Sequence, residues 1–355
     1  MKRIGHLMEK MMTEQNFIKA EALLGKNKKH NRKAKHISAN AEKYGKRLFE
    51  MVKNGLFHFH PNRQITIHDS YKGKTRNLKI PCLIDQAVQL AWLNIASPYI
   101  AKRNYYYNCG SVPYAGQTRS VKALQKWLRN PKNKYGGTTD IKKFYDTCPH
   151  WVIRKGLENI FKDKEFVDFG MAIVASMSDD DVGIAIGYPT SHWFANVALM
   201  ELDHELKRKF PAIKFTRYMD DIGLISSNYR LIKRAVAYVK ETIEKLGMRL
   251  KRWSAFRIAD RGLTFLSYRF FYRKTVMAKK LMCRISRKAK TMSENMNIHN
   301  ACSMMSYFGI LKWCDSFNFR VEKVYPYVNK RTLRRIISEY NKNKSKLGRT
   351  AVATA

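Results

Sequence analysis

Apolar residues recur at helical spacing through most of this chain and alternate with polar ones in a few short stretches. The first 56 residues read as helices interrupted by a basic segment, Lys26 to His36. "RQITIHDSYKGKTRNLKIP" then alternates on both sides of a Lys-Gly-Lys turn, the pattern of a β-hairpin. Helices are predicted over Leu83 to Ile95, Ser120 to Leu128 and Trp151 to Phe161, and "KYGGTTDIKKFYD" reads as a buried strand entering a turn. "GIAIGYPTSHWFANVALMELDHELKRK" opens as a glycine-bearing turn and continues as one long helix. From Asn228 to Leu246, the residues Ile232, Ala235, Val236, Val239, Ile243 and Leu246 hold one helix face, with Gly247 placed to cap it. Short strands follow around "MRLK" and "LTFLSYRFF", and the chain reads helical from Lys279 on. Helices and strands in this order describe an α+β fold with an antiparallel core.

One strand–turn–strand unit breaks its own pattern. In "RYMDD", Asp220 and Asp221 sit side by side between Ile213 and Phe215 on one flank and Ile222 and Leu224 on the other. Neighbouring anions repel, and each is costly to desolvate without a compensating charge or donor. Either the doublet is a hydrated turn or something positive binds it. Asp140 ends an apolar strand eighty residues earlier. If the two strands are neighbours, the three carboxylates converge. Successive strand residues face opposite sides, so Asp220 is expected to be the principal ligand of the doublet. Oxygen-only ligands suit Mg²⁺ or Mn²⁺. Two such ions roughly 3.5–4 Å apart activate an attacking hydroxyl and stabilise a leaving phosphate. An isolated doublet is more often a turn, so the context has to decide. Asp179 to Asp181 read as a hydrated turn, Asp146 as a local cap, and His204 as a satisfied partner on a helix face.

Composition narrows the partners. The chain has 355 residues, 45% of them apolar, enough for a full core in two or three lobes. Its formal charge of +40 favours polyanions, nucleic acid first. The two ends are denser in Lys and Arg than the middle. No apolar run approaches the roughly 18 to 20 residues of a membrane span. The six cysteines form no CxxC pair and no zinc spacing. Without a secretory apolar segment after Met1, they are expected to be reduced thiols in a cytoplasmic protein.

"RYMDD" resembles the catalytic box of reverse transcriptases, and five further boxes of that family follow its order over about residues 15–320. "TTDIKKFYD" resembles the first catalytic box. The resemblance implies two Mg²⁺ (or Mn²⁺) held by Asp140, Asp220, Asp221 and the Ile141 carbonyl, with Tyr145 as sugar gate. "IGYPTSHWFAN" resembles the box that packs against template and incoming nucleotide through Ile186 and Gly187. "GKTRNLKIP" resembles the fingers box, implying triphosphate contacts from Lys74 and Arg76, and "LGMRLK" implies Lys251 beside the leaving pyrophosphate. "FLSYRF" resembles the primer grip, Phe265, Leu266, Ser267 and Tyr268, with Ser267 where the family usually has glycine. The implied architecture is a right-hand polymerase: a basic helical extension over 1–60, fingers over 61–130, palm over 131–268 with a fingers-associated insert, and a basic helical thumb and tail over 269–355.

Within that family the chain looks most like bacterial enzymes of diversity-generating retroelements, on Ile186-Gly187, Ser191, "RGLTFLSYR" and "SYFGILKWCDS". His192 stands where that group carries glutamine, which keeps defence-associated and prophage-borne relatives open. Implied partners are template RNA, its cDNA product, dNTPs, a cognate non-coding RNA and an accessory protein subunit.

Several residues have two readings at this point. Tyr145 clashes with a 2′-hydroxyl or is a core aromatic. Ile186 removes an amide near the nascent pair, implying relaxed fidelity, or simply packs. Gly187 allows close backbone approach to a nucleotide or only shapes a turn into a helix. Lys74 and Arg76 balance triphosphate charge or are merely exposed, and Lys251 donates a proton to pyrophosphate or is one basic residue among several. Tyr105, Tyr106 and Tyr107 stack on single-stranded template or pack in the core. Asn329 to Arg335 lies in a segment suited to phosphate contacts along a duplex. A viral-type RNA polymerase and a catalytically silent RNA-binding scaffold are the rival functions.

Overall fold

The computed structural model describes residues 2–353 apart from 27, 29, 30, 70–73 and 179. The expected hairpin turn and Asp179 fall outside the described residues, as does the side chain of Lys74. The chain forms two compact units, one of residues 1–120, 137–224 and 230–255, the other of 121–136, 225–229 and 256–355.

The first unit opens with the helices Leu7–Met11, Glu14–Leu24, Arg32–Ala39 and Ala41–Lys53. Part of the basic segment is therefore helical, started by Asn31, whose side chain accepts from the Ala34 N–H. Strands β1 (Arg63–Asp69) and β2 (Lys74–Ile80) pair antiparallel, with Ile67 opposite Arg76. The helix Leu83–Arg103 runs past its expected end at Ile95. Trp92 is its anchor: fully buried, it stacks on Phe166 at 5.4 Å and 14° and donates its Nε1–H to the Phe166 carbonyl at 3.1 Å. Phe166 lies on Lys164–Ala175, a helix that the sequence pattern had not marked.

A four-stranded sheet carries the site. Its strands are β3 (Tyr135–Ile141), β4 (Lys214–Tyr218), β5 (Asp221–Ser226) and β6 (Leu250–Arg257), ordered β4-β5-β3-β6. Only Met219 and Asp220 join β4 to β5, so this pair is antiparallel; a parallel pair needs a long crossover. Ile222 to Ser226 are all buried, which explains why this strand reads as core rather than alternating. The helix Tyr229–Lys245 buries Ile232, Ala235, Val236, Val239 and Ile243, the face predicted, and Gly247 follows it at φ +77°. It comes so close to β3 that a Cβ on Gly137 would lie 2.9 Å from Val236.

The long helix expected before β4 is two, Ser191–Ala198 and Met200–Lys209, broken at Leu199. Phe194 to Ala198 are buried on consecutive positions, whereas the second helix buries a single stripe. Their buried patterns differ, and spacing alone does not register the break between them.

In the second unit β7 (Leu263–Phe265), β8 (Tyr268–Phe271) and β9 (Lys274–Met277) form an antiparallel meander. β9 was not anticipated. The helices Lys279–Glu294, Ile298–Leu311, Phe317–Lys323 and Lys330–Ala353 follow. Leu281, Ile285, Ala289 and Met292 on the first of them meet Ala301, Met304 and Phe308 on the second in one apolar cluster. No helix among the described residues is long and apolar enough to cross a membrane. All six cysteines are free of disulfides.

Candidate active site

The turn that carries the aspartate doublet is held from behind. Phe215, Thr216 and Arg217 on β4 are fully buried, an unusual place for a guanidinium. Arg217 is neutralised by Asp203, itself 0% exposed, through Nε at 2.8 and 2.9 Å and Nη2 at 2.6 Å. Its Nη1 then donates to the Met219 carbonyl at 2.9 Å, inside the turn. Met219 has φ +56°, a left-handed conformation that a side chain adopts only under constraint.

Part of that constraint comes from residues 107–110. Cys109 N–H donates to the Arg217 carbonyl and Arg217 N–H to the Tyr107 carbonyl, at 2.8 and 3.0 Å. Gly110 lies so close that a Cβ there would be 2.5 Å from Met219 N. Asn196 ties the group together: its Nδ2 donates to the Gly110 carbonyl at 2.8 Å and its Oδ1 accepts from Asn108 at 3.0 Å. Sequence reasoning passed over Arg217, Asp203 and Asn196. A signal existed, because Asp203 falls in the apolar stripe Leu199, Leu202, Leu206. An acid on the buried face of a helix requires a cation.

In front of this support, Asp220 occupies the turn and Asp221 begins β5. Asp140 lies near the end of β3, the strand beside β5, and Lys251 lies on β6, the strand beside β3 on its other flank. The Lys251 ammonium is 3.9 Å from Asp140 Oδ2. The sheet order thus brings both predicted acidic segments onto adjacent strands, with a cation already drawn to one of them. All three carboxylates are half-buried, and the Ile141 side chain behind Asp140 is fully buried.

This donor set is all oxygen and anionic, which fits a hard divalent cation. Among the described residues, however, just one group has three ligand atoms mutually within 4.8 Å: His60, Cys82 and Asp85. The three aspartates are more widely spaced than that. The His60 group is accounted for by structure, since the buried Asp85 accepts from the His60 backbone N–H at 3.0 Å and meets its ring Nδ1 at 2.8 Å. That contact ties the approach to the hairpin onto the first turn of Leu83–Arg103.

Tyr145 stands close to the doublet. Its hydroxyl is 2.9 Å from His192 Nδ1 and 3.7 Å from Met219 Sδ. Burial first, and the Asp220 charge second, push its ionisation well above the ordinary phenol range, so the hydroxyl keeps its proton. Arg76 on β2 acts on the same hydroxyl in the opposite sense, which places the fingers-box arginine within electrostatic reach of the site. Ile186 and Gly187 dock on the hairpin as well. Lys79 N–H donates to the Ile186 carbonyl at 3.0 Å, and a Cβ on Gly187 (φ +128°) would lie 2.5 Å from the Lys79 carbonyl. The close approach expected of this glycine is thus made to the protein's own backbone.

Elsewhere, Tyr105 takes the packing option: it stacks on Phe215 at 4.3 Å and donates to its carbonyl at 3.2 Å. Tyr106 is exposed beneath the Arg119 guanidinium, 4.6 Å from its ring centre. His204 is satisfied by the Arg103 carbonyl at 2.8 Å, and Asp180 and Asp181 are exposed. In the second unit, Phe265 and Tyr268 are core residues and Leu266–Ser267 form the β7–β8 turn, with the positive φ (+54°) on Leu266 rather than Ser267. That unit also has a cavity of about 580 Å³ whose lining includes Arg129, Arg273, Lys274, Lys312 and Trp313. The Lys122 and Lys312 ammonium groups lie 5.3 and 5.6 Å from the Trp313 ring centre.

Two acidic segments on adjacent strands of one sheet, one at a strand end and one in a tight turn, match the palm arrangement of template-directed polymerases. Residues 61–270 match the family model described as reverse transcriptase (RNA-dependent DNA polymerase), and the chain belongs to that family. It is 28% identical over 145 residues to the Escherichia coli retron Ec73 reverse transcriptase, covering 37% of this chain and 45% of that protein, less than half the relative's length. Two solved structures are similar in outline, both at 11% identity. One is the apo telomerase of Candida tropicalis truncated from the C-terminal domain, with TM-score 0.47 over 64% of this chain and 58% of that one. The other is the Candida albicans telomerase in complex with a TWJ fragment of telomeric RNA, with TM-score 0.48 over 84% and 67%.

Proposed function

We propose that the chain is an RNA-directed DNA polymerase that copies a cognate structured RNA of a bacterial retroelement into cDNA. One observation carries this reading: the family match over 61–270 coincides with Asp140 and the Asp220–Asp221 doublet on neighbouring strands. Asp140, Asp220, Asp221 and the Ile141 carbonyl are the groups that would hold two Mg²⁺ or Mn²⁺ ions. Bound there, such ions would lower the pKa of the attacking primer 3′-hydroxyl and offset charge on the departing pyrophosphate.

The chain's own residues supply the rest. Arg76 and Lys74 on the hairpin offset triphosphate charge, and Lys251 brings an ammonium beside Asp140 to the leaving-group side. On this reading the Tyr145 ring, close to Met219 and the doublet, would meet a 2′-hydroxyl and favour dNTPs. The β1–β2 hairpin would then belong to the fingers (61–130), the β4-β5-β3-β6 sheet to the palm (131–268) and the helices from Lys279 on to the thumb (269–355). The basic cavity beside Trp313 and the helices after Lys279 suit sequence-independent contact with template and product. Similarity to a retron enzyme supports a retroelement setting, and the diversity-generating type rests on Ile186-Gly187 and Ser191.

Asp220→Asn tests the assignment. Mg²⁺-dependent extension of oligo(dT) on poly(rA) is expected to be abolished while RNA binding persists. Undiminished extension by the variant refutes the role given to the doublet. A wild-type chain that binds RNA but never extends a primer returns the scaffold reading.

A further inference from the structure

Resting on the polymerase reading above, we infer that His192 is a positioning residue for sugar selection: it holds the Tyr145 hydroxyl, and with it the ring that faces a 2′-hydroxyl. A ring excludes a ribose only as firmly as the ring itself is held, because rotation about its side-chain bonds opens the space it fills. Tyr145 is held at both ends. Its carbonyl accepts from the Ile184 N–H at 2.6 Å, and its hydroxyl reaches His192 Nδ1 at 2.9 Å. The imidazole meets the phenol ring edge-on, at 88° with 6.2 Å between ring centres.

The phenol has one proton to donate, and a nitrogen acceptor at this distance outcompetes the Met219 sulfur at 3.7 Å. With its own proton on Nε2, His192 offers Nδ1 as that acceptor. The backbone that presents His192 is itself anchored. Thr190 Oγ1 donates to Gln89 at 3.1 Å, and Ser191 Oγ donates to the Ala185 carbonyl. Residues 184–192 therefore grip Tyr145 at its base and at its tip. His192 acts through the Tyr145 hydroxyl, so its effect belongs to discrimination rather than to the chemical step.

The test compares kcat/KM for dNTP and rNTP incorporation in single-turnover extension on an RNA template. Four proteins are needed: wild type, Tyr145→Ala, His192→Leu and His192→Asn. Leucine fills the space without an acceptor, while the asparagine amide places an oxygen near the position of Nδ1. Losing one such hydrogen bond is expected to lower sugar discrimination about threefold to tenfold in His192→Leu. The change should appear in the rNTP arm. His192→Asn is expected to stay within about twofold of wild type, as restoring that acceptor restores the bond.

If Tyr145→Ala loses discrimination but His192→Leu keeps it, the positioning role is overturned and the gate survives. If both His192 variants lose it equally, packing rather than the hydrogen bond is responsible, and the inference again fails. Undisturbed discrimination in Tyr145→Ala overturns the gate and this role with it. Absence of extension by the wild type overturns the polymerase reading on which both depend.

Discussion

Asp203→Asn isolates what the buried ion pair does. In the native fold three short contacts, 2.6 to 2.9 Å, join Asp203 to Arg217, and both side chains are 0% exposed. Asparagine keeps the shape and removes the charge, leaving a guanidinium uncompensated in the core. Breaking a buried pair in this way costs about 3–5 kcal/mol, against a typical total stability of about 5–15 kcal/mol. A marked fall in the urea midpoint is therefore expected.

The informative companion is Asp203→Leu with Arg217→Met. Replacing both charges by apolar groups is often close to neutral for stability, so most of the lost midpoint should return. Catalysis should not return, because the Met219 carbonyl has lost the donor that sets the turn. A hydrogen bond from a charged group is worth about 1.5–3 kcal/mol, which as a positioning loss is about 10- to 160-fold in extension rate. Urea titration and single-turnover extension on the same preparations separate the two effects. A double variant that is both stable and fully active would show that Arg217 does not position the doublet. An Asp203→Asn unfolding curve superimposed on wild type would show that the pair is not needed at all.

Two further outcomes follow from strained or buried groups. Glu21 is 4% exposed, its Oε2 has no hydrogen-bond partner among the described residues, and burial raises its pKa from 4.5 to about 7 despite the nearby Lys28. The folded state thus holds a proton that the unfolded chain releases above 4.5, so this stability is full below 4.5, declines as pH rises to about 7 and is lost above it. The span is at most about 3 kcal/mol, reduced to the extent that solvent screens the carboxylate. Glu21→Gln should flatten it, with urea midpoints near wild type at low pH and higher at pH about 8; equal midpoints there remove the argument. Gly187→Ala meets both a positive φ of +128° and a carbonyl 2.5 Å away, so a loss of about 1–3 kcal/mol and a raised KM for dNTP are expected. An unchanged melting curve and KM would mean that the hairpin is not docked through this residue.

Much of the candidate site was legible because its chemistry is local. The doublet and Asp140 stand out as acids in apolar strands of a chain otherwise short of acids, and the Tyr229–Lys245 helix followed from spacing alone. Other features were not legible, for physical reasons. Leu199 lies between two helices with different buried patterns, and a period count does not register the break between them. β9 pairs through backbone groups, which leave little trace in side-chain pattern. Tyr105 has the same composition signal whether it stacks on a base or on Phe215; only its neighbour decides.

The amino-acid order by itself determined the type of most elements, the polyanion-seeking charge and which acids are candidates to bind cations, since these follow from composition and from neighbours a few positions apart. Only the tertiary structure decided that β5 and β6 flank β3, that Asp203 reaches Arg217 behind the turn, and that His192 meets Tyr145. Those contacts join residues 14, 47 and more positions apart, and what selects them is which buried surfaces and buried charges find partners when the whole chain packs.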